Sequence, residues 1–404
     1  MEPLTNAGGG SEGAPGPPPH VAHRRLQVAC NLSMVVFAAS IAVPSVCLPD
    51  IGGEFGLSLA DRGLAASLRT GALLAALLAS GYLADRYGKG RFLSVGMLLT
   101  ALGTAGTAMA GRFASLLGAQ AVAGLGTGSM EALVNPLVAE LHPESPARPL
   151  NITNGLFSVG LVIASLLAGE MLQAGLPWRM TPWVWVAPPI IAAALFATRR
   201  YPGPLHGQTA DRGTAFLRQR LFWMLMAAMV LAGGAEAGMT FWGASFMEQE
   251  LGASVRTGAV TLAFYGACMA AGRFASGGLV ARVGSLSLTT GSAAACALST
   301  AGLCFTHAPL GAWVLFGLGG LFVACFWPTI LAIAAERLQV GSTTMFALLA
   351  AAGITGCMVF PWAIGAIGDL AGLRAGIALL PASMAAQFAL LLAVRRRALR
   401  ATAL

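Results

Sequence analysis

Charged residues are scarce in this chain: they make up 10% of its 404 residues, against roughly a quarter in soluble globular domains. With 56% of residues hydrophobic and a mean hydropathy of +0.74, a water-soluble body is excluded. Histidine is sparse as well. His20, His23, His142, His206 and His307 fall in the tail and loops, and neither H-E-x-x-H nor G-x-S-x-G occurs, so hydrolytic enzyme chemistry has no visible site. The chain therefore reads as no enzyme, with no metal and no cofactor. The seven cysteines are odd in number, lie in hydrophobic stretches and form no C-x-x-C pair, which argues against a disulfide framework or a zinc site. Residues 1–23 are rich in Gly and Pro and lack an apolar core, so they read as a disordered tail rather than a cleaved signal.

What the chain has in abundance is long apolar runs. In the first half they fall near 26–48, 63–83, 92–110, 113–139, 152–173 and 181–197; in the second near 221–246, 258–281, 286–306, 309–335, 343–367 and 374–394. Each is long enough for a helix to cross about 30 Å of hydrocarbon. Backbone groups in lipid must bond to one another, so the runs are expected to be helices. The fold class that follows is an all-α membrane protein of twelve transmembrane helices.

The formal charge of +8 could point to nucleic acid, but the placement of the basic residues decides otherwise. Seventeen of the 24, among them Arg24, Arg25, Arg86, Lys89, Arg91 and Arg395 to Arg397, fall on the side of the N-terminus. Arg62, Arg112, Arg179, Arg256 and Arg374 fall on the other side, while Arg69 and Arg273 lie within spans. The positive-inside bias sets both termini in the cytoplasm of a bacterial-type inner (plasma) membrane.

The polar connector 201–220 divides the chain into an N-terminal bundle at 24–200 and a C-terminal bundle at 221–404. The two halves echo each other. Gly-Tyr-Leu-Ala-Asp-Arg-Tyr-Gly at 81–88 is repeated as Gly-Gly-Leu-Val-Ala-Arg-Val-Gly at 277–284, and Gly124-Leu125-Gly126 with Pro136 as Gly317-Leu318-Gly319 with Pro328. Parallel repeats of this kind place a solute site near the bilayer midplane between the halves.

The loop from Gly81 through Asp85, Arg86, Gly88 and Lys89 to Arg91 resembles the signature loop after the second helix of the major facilitator superfamily. The resemblance implies two pseudo-symmetric six-helix bundles, and for this loop a latching role rather than contact with solute. In the second copy Ala281 stands where the first has Asp85. Within the superfamily, Gly124 to Pro136, containing Glu131 and Asn135-Pro136, resembles helix four of the fucose, glucose and galactose permease branch. That likeness implies that Glu131 and Asn135 line the central cavity, with Glu131 engaged in solute recognition and proton coupling. Asn151 to Gly160 and Glu236 to Trp242 resemble helices five and seven of the same branch. There are departures: Ser45 stands where fucose permeases carry an acid, and Asn154 where a histidine is usual. Drug antiporters carry an arginine where this chain has Gln120 and a Gly-Pro motif where it has Ala164-Ser165.

An ionised side chain at mid-bilayer costs about 2.5–3.5 kcal/mol on insertion scales, so such residues face a cavity or a partner. Glu131 deep in span four is the first candidate, since a carboxyl there can take up and release a proton as the cavity hydrates. Glu236 in span seven reads equally as a cavity residue or as part of a tight Gly-rich crossing with Gly233, Gly234 and Gly238. Arg69 is expected to snorkel outward and Arg273 to form a structural ion pair. Trp242 and Trp327, with Phe241, Tyr265 and Phe326, are candidates for an aromatic platform beside Asn135 and Asn154. Trp178, Trp183 and Trp185 read as an interfacial belt. The expected function is secondary active transport of a small polar, sugar-like solute, coupled to protons, by a monomer whose other partner is the lipid bilayer. Efflux of hydrophobic compounds and a non-transporting membrane sensor are the alternatives.

Overall fold

The computed structural model describes residues 19–145, 147–197, 201–202, 215–338 and 343–402. The described residues are helical or in short connections, and no strand occurs among them. The tail at 1–18 and most of the 201–220 connector lie outside the described residues.

Among the described residues, twelve spans cross the molecule. Span one is Pro19–Val46, followed by a short helix, Leu48–Phe55; span two is Leu59–Tyr87, span three Lys89–Ala108, span four Phe113–Leu141 and span five Ala147–Gln173. Span six is broken into Met180–Val184 and Ala187–Phe196. Spans seven, eight and nine are Arg220–Leu251, Val255–Val283 and Ser285–Phe305. Span ten is Pro309–Val323 with Phe326–Leu338, span eleven Thr343–Ala371, and span twelve Leu373–Ile377 with Leu379–Thr402. The molecule is a multi-pass integral membrane protein. Eight of its spans are long and apolar enough by themselves to cross a bilayer. Spans three, four and eight are diluted by Gly, Ala, Ser and Thr, the residues that let helices cross closely.

Proline explains the three breaks. A proline has no N–H to give the carbonyl four residues earlier. Pro189, Pro328 and Pro381 place that defect at Trp185, Ala324 and Ile377, where spans six, ten and twelve are interrupted. Pro44, Pro136 and Pro361 sit inside helices that continue through them.

The two bundles are built alike. Span one packs on five, two on four, three on four and six; in the second half seven packs on eleven, eight on ten, nine on ten and twelve. The likeness extends to single residues. Gly56 and Gly252 both end a helix at positive φ (+61° and +63°), Ser58 and Ser254 both cap the next span with their side chains, and Gly88 and Gly284 turn the chain at +86° and +80°. Each half also carries the same clamp. Arg179 pairs with Glu54 and donates to the Ala110 carbonyl at 2.6 Å; Arg374 pairs with Glu250 at 3.3 Å and donates to the Thr306 carbonyl at 2.7 Å. In both, an arginine between spans ties the end of one helix to the orphan carbonyls of another.

The halves meet at the face opposite the termini. There Asp369 of span eleven accepts hydrogen bonds from the backbone N–H groups of Leu59 and Ala60 (2.7 and 2.9 Å), capping span two from the other half. Arg256 at the start of span eight pairs with Glu170 of span five at 2.7 Å. Gly63 and Gly365 let spans two and eleven touch backbone to backbone, since a Cβ on either would overlap the partner helix. Toward the terminal face this contact is lost. A Cβ on Gly81, Gly277 or Gly278 would meet nothing within 4 Å, and from Phe274 to Gly284 span eight is exposed except at Arg273's neighbour Ser276 and at Val280. The molecule is closed at the distal face and open at the terminal one.

Candidate functional site

Three charged side chains from both halves converge where the bundles part. Glu236, on span seven, pairs with Arg273 of span eight through Oε1 at 3.3 Å, while its Oε2 is buried without a partner among the described residues. Glu131, on span four, interacts electrostatically with both. Two acids thus face one base, and each side chain offsets part of the cost of carrying a charge at this depth. The Arg273 guanidinium lies 5.9 Å from the centre of the Phe157 ring on span five, and Phe157 packs at a tilt on Phe37 of span one, 5.4 Å away.

Asn135 follows Glu131 by four residues, so the two share a face of span four. Its Oδ1 accepts from Asn154 Nδ2 at 3.0 Å, and the same nitrogen donates to the Leu150 carbonyl at 2.9 Å. The two asparagines therefore bridge spans four and five. Cys357 of span eleven, which donates to the Gly233 carbonyl at 3.2 Å, and Tyr265 of span eight also lie within electrostatic reach of Glu236.

The aromatic residues are placed differently from the expectation of a stacking platform. Trp242 is fully buried, with its indole N–H donated to the Pro361 carbonyl at 3.0 Å, and Tyr265 and Phe326 are fully buried too. Trp327 is half-buried, with its ring against Gly353 of span eleven. Phe157, with Phe37 packed on it, is the ring beside the Arg273 guanidinium, a pairing across spans that no local motif signals.

Arg69 turns inward rather than snorkelling. It is 7% exposed, donates to Ser40 Oγ of span one at 2.6 Å, and leaves its Nε without a partner among the described residues. The reason is helix rotation: Gly124 of span four packs against the Arg69 backbone, and that contact sets which way the side chain points. Trp178 likewise is no interfacial anchor. It is buried and donates to Glu54 Oε2 at 2.6 Å beside Arg179. Together Arg179 and then Trp178 hold the Glu54 carboxyl below its usual range by hydrogen bonding to its charged form.

The signature loop stays within its own half among the described residues. Gly81 lies in the open part of span two, Gly88 takes the positive-φ turn, and Lys89 pairs with Glu140 of span four. In the second half Ser285 donates to Glu336 at 2.8 Å in the equivalent place. Arg86 donates to Tyr82 at 2.8 Å and is exposed, Arg91 is exposed, and the Asp85 side chain lies outside the described residues. Asp369 and the Glu170–Arg256 pair, which close the distal face, belong to no motif recognisable in the sequence; their only signal is an acid or a base at a helix end.

The model of the Major Facilitator Superfamily matches residues 30–319. Among curated proteins the chain is 26% identical over 239 residues to the cis,cis-muconate transport protein of Acinetobacter baylyi, covering 55% of this chain and 57% of that protein. It is 27% identical over 210 residues to the multidrug resistance protein Stp of Mycobacterium tuberculosis, covering 51% and 38%. The chain thus spans less than two thirds of the curated relatives it matches. Among solved structures, that of the nucleoside transporter NupG superposes with a TM-score of 0.71 at 12% identity, covering 92% of this chain and 98% of NupG, a likeness of fold. Twelve spans in two like halves, the signature loop and a family match over well over half of the chain lead to one conclusion: this protein belongs to the major facilitator superfamily, a family of membrane transporters.

Proposed function

We propose that the protein is a secondary active transporter that carries a small polar solute across a bacterial-type plasma membrane, with both termini cytoplasmic, by rocking its two halves about a central site. The observation that carries this reading is the meeting of Glu131, from one half, with Glu236 and Arg273, from the other, at the apex of the opening. A site divided between two bodies is remade whenever they move, which is what alternating access requires. Solute contacts are assigned to Glu131, Asn135, Asn154 and Glu236, with Trp327 at the edge; Trp242 supports the site from the core. The loop from Gly81 to Arg91, including Asp85, Arg86, Gly88 and Lys89, acts as a latch in the opposite state, when the terminal face closes.

Glu131 is the coupling residue. Its carboxyl is brought to the opening without a hydrogen-bond partner among the described residues, and alternating hydration changes the cost of its charge, so it exchanges a proton with each cycle. The protein works as a monomer. The test is uptake of labelled small solutes, monosaccharides and organic acids together, into proteoliposomes with and without an inward proton gradient. Gradient-driven accumulation is expected in the native protein and downhill exchange alone in Glu131→Gln. Undiminished accumulation by the mutant removes Glu131 from coupling.

A further inference from the structure

The geometry points to a small organic carboxylate as the solute, held by Arg273 with its apolar body on Phe157 and Phe37, and taken up together with a proton. This rests on the transport reading above and narrows it to one chemical class.

Arg273 is an under-used cation. A guanidinium presents five N–H donors in a planar fork, and here one of them reaches one oxygen, at 3.3 Å, beyond the usual range for a charge-assisted bond. No other protein acceptor lies within hydrogen-bond distance of it among the described residues. The side chain is one third exposed, whereas Arg374, whose pair with Glu250 also lies within the second half, is built in: it donates to three carbonyls as well. A planar carboxylate fits the vacant edge of Arg273 in the two-pronged manner that a sugar hydroxyl or an ammonium group does not. Beside that edge the surface is aromatic. Phe157 lies under the guanidinium and Phe37 against Phe157, so a ring or short chain attached to the carboxylate meets apolar surface.

Charge balance supplies the proton. The titratable and charged groups that meet at this point are Glu131 from span four, Glu236 from span seven, Arg273 and Tyr265 from span eight, and Cys357 from span eleven. With Tyr265 and Cys357 neutral, the ionised cluster already carries one negative charge in excess. An incoming carboxylate that takes Arg273 from Glu236 adds another and leaves both Glu236 oxygens unpaired. A proton on Glu131, the coupling residue, restores the balance, so anion binding and proton uptake are one event. A cationic solute would do the opposite, pairing with the two glutamates and releasing any proton they hold.

The experiment uses the purified full chain in detergent, weakly buffered near neutral pH. Benzoate, phenylacetate and adipate are added in turn, with benzamide, benzylammonium and a monosaccharide as neutral and cationic comparisons. Binding is read by calorimetry and proton exchange by a pH-indicator dye. At least one carboxylate should bind below about 1 mM with net proton uptake, and benzamide and benzylammonium at least about tenfold more weakly. Arg273→Lys, which keeps the charge and loses the fork, should weaken the carboxylate about tenfold or more and leave thermal stability near that of the native protein. Benzylammonium binding with proton release, saturable binding of the monosaccharide, or no carboxylate bound below that concentration overturns the anion assignment. In the first two cases the transport reading stands; in the third, if proteoliposomes also accumulate none of these solutes, the transport reading falls with it.

Discussion

Removing the Asp369 carboxylate should open the distal face. Its two oxygens accept from Leu59 and Ala60 at 2.7 and 2.9 Å, so a residue of span eleven acts as the cap of span two, and it also attracts Arg62. Hydrogen bonds to charged groups contribute about 1.5–3 kcal/mol each. Asp369 is exposed, however, and the loss of a helix cap, about 0.5–2 kcal/mol, is the better measure. These contacts join the two halves only while the distal face is closed. Their whole loss therefore falls on one side of the conformational equilibrium, and about 1 kcal/mol shifts the ratio of distal-open to distal-closed molecules roughly fivefold. Spin labels at Ala174 and His307, both exposed at the distal face and on opposite halves, report the change in a background where the seven native cysteines are replaced. Asp369→Ala should raise the long-distance population by that factor, and Asp369→Asn, which keeps one acceptor, by less. Distance distributions identical to the native protein's would refute the assignment of Asp369 as a gate.

Two further expectations concern the clamps. Arg374→Ala should destabilise the protein more than Arg179→Ala, because Arg374 and Glu250 are more enclosed and Arg374 also serves the Leu303, Cys304 and Thr306 carbonyls; breaking a buried pair costs about 3–5 kcal/mol, reduced here by partial exposure. Thermal unfolding in detergent ranks the two, and equal losses would count against the argument. The Glu54 carboxyl, held below its ordinary value of 4.5 by Arg179 and Trp178, adds stability that is complete above that value and fades as pH falls toward its lowered folded value. The melting difference between native protein and Glu54→Gln should be constant near neutrality and shrink in acid, and a difference independent of pH would contradict this.

How far the sequence reaches is clear from particular residues. Hydropathy is a local property, so the spans could be read from runs of about 20 residues, whereas which prolines break their helices, as Pro189, Pro328 and Pro381 do and Pro361 does not, emerged only in the structure. The echo of residues 81–88 at 277–284 announced the repeat because equal backbone turns need equal glycines, as Gly88 and Gly284 show. Glu131 and Glu236 could be singled out one by one, since an acid in an apolar run is conspicuous wherever it points. Arg69 could not be oriented, because its distance from the helix end says nothing of the helix's rotation, which Gly124 sets from a neighbouring span.

The sequence by itself therefore determined which segments enter the membrane, how many there are and that they form two like halves, for each of these follows from residues adjacent in the chain. Only the tertiary structure decided that Glu131 faces Arg273 and Glu236, that Phe157 packed on Phe37 lies beside the Arg273 guanidinium while Trp242 is buried against Pro361, and that Asp369 and Glu170 seal one face while the other stands open. Those are pairings between helices far apart in the chain, and they depend on the rotation and tilt of whole spans, which close packing at glycines fixes and no single run of residues encodes.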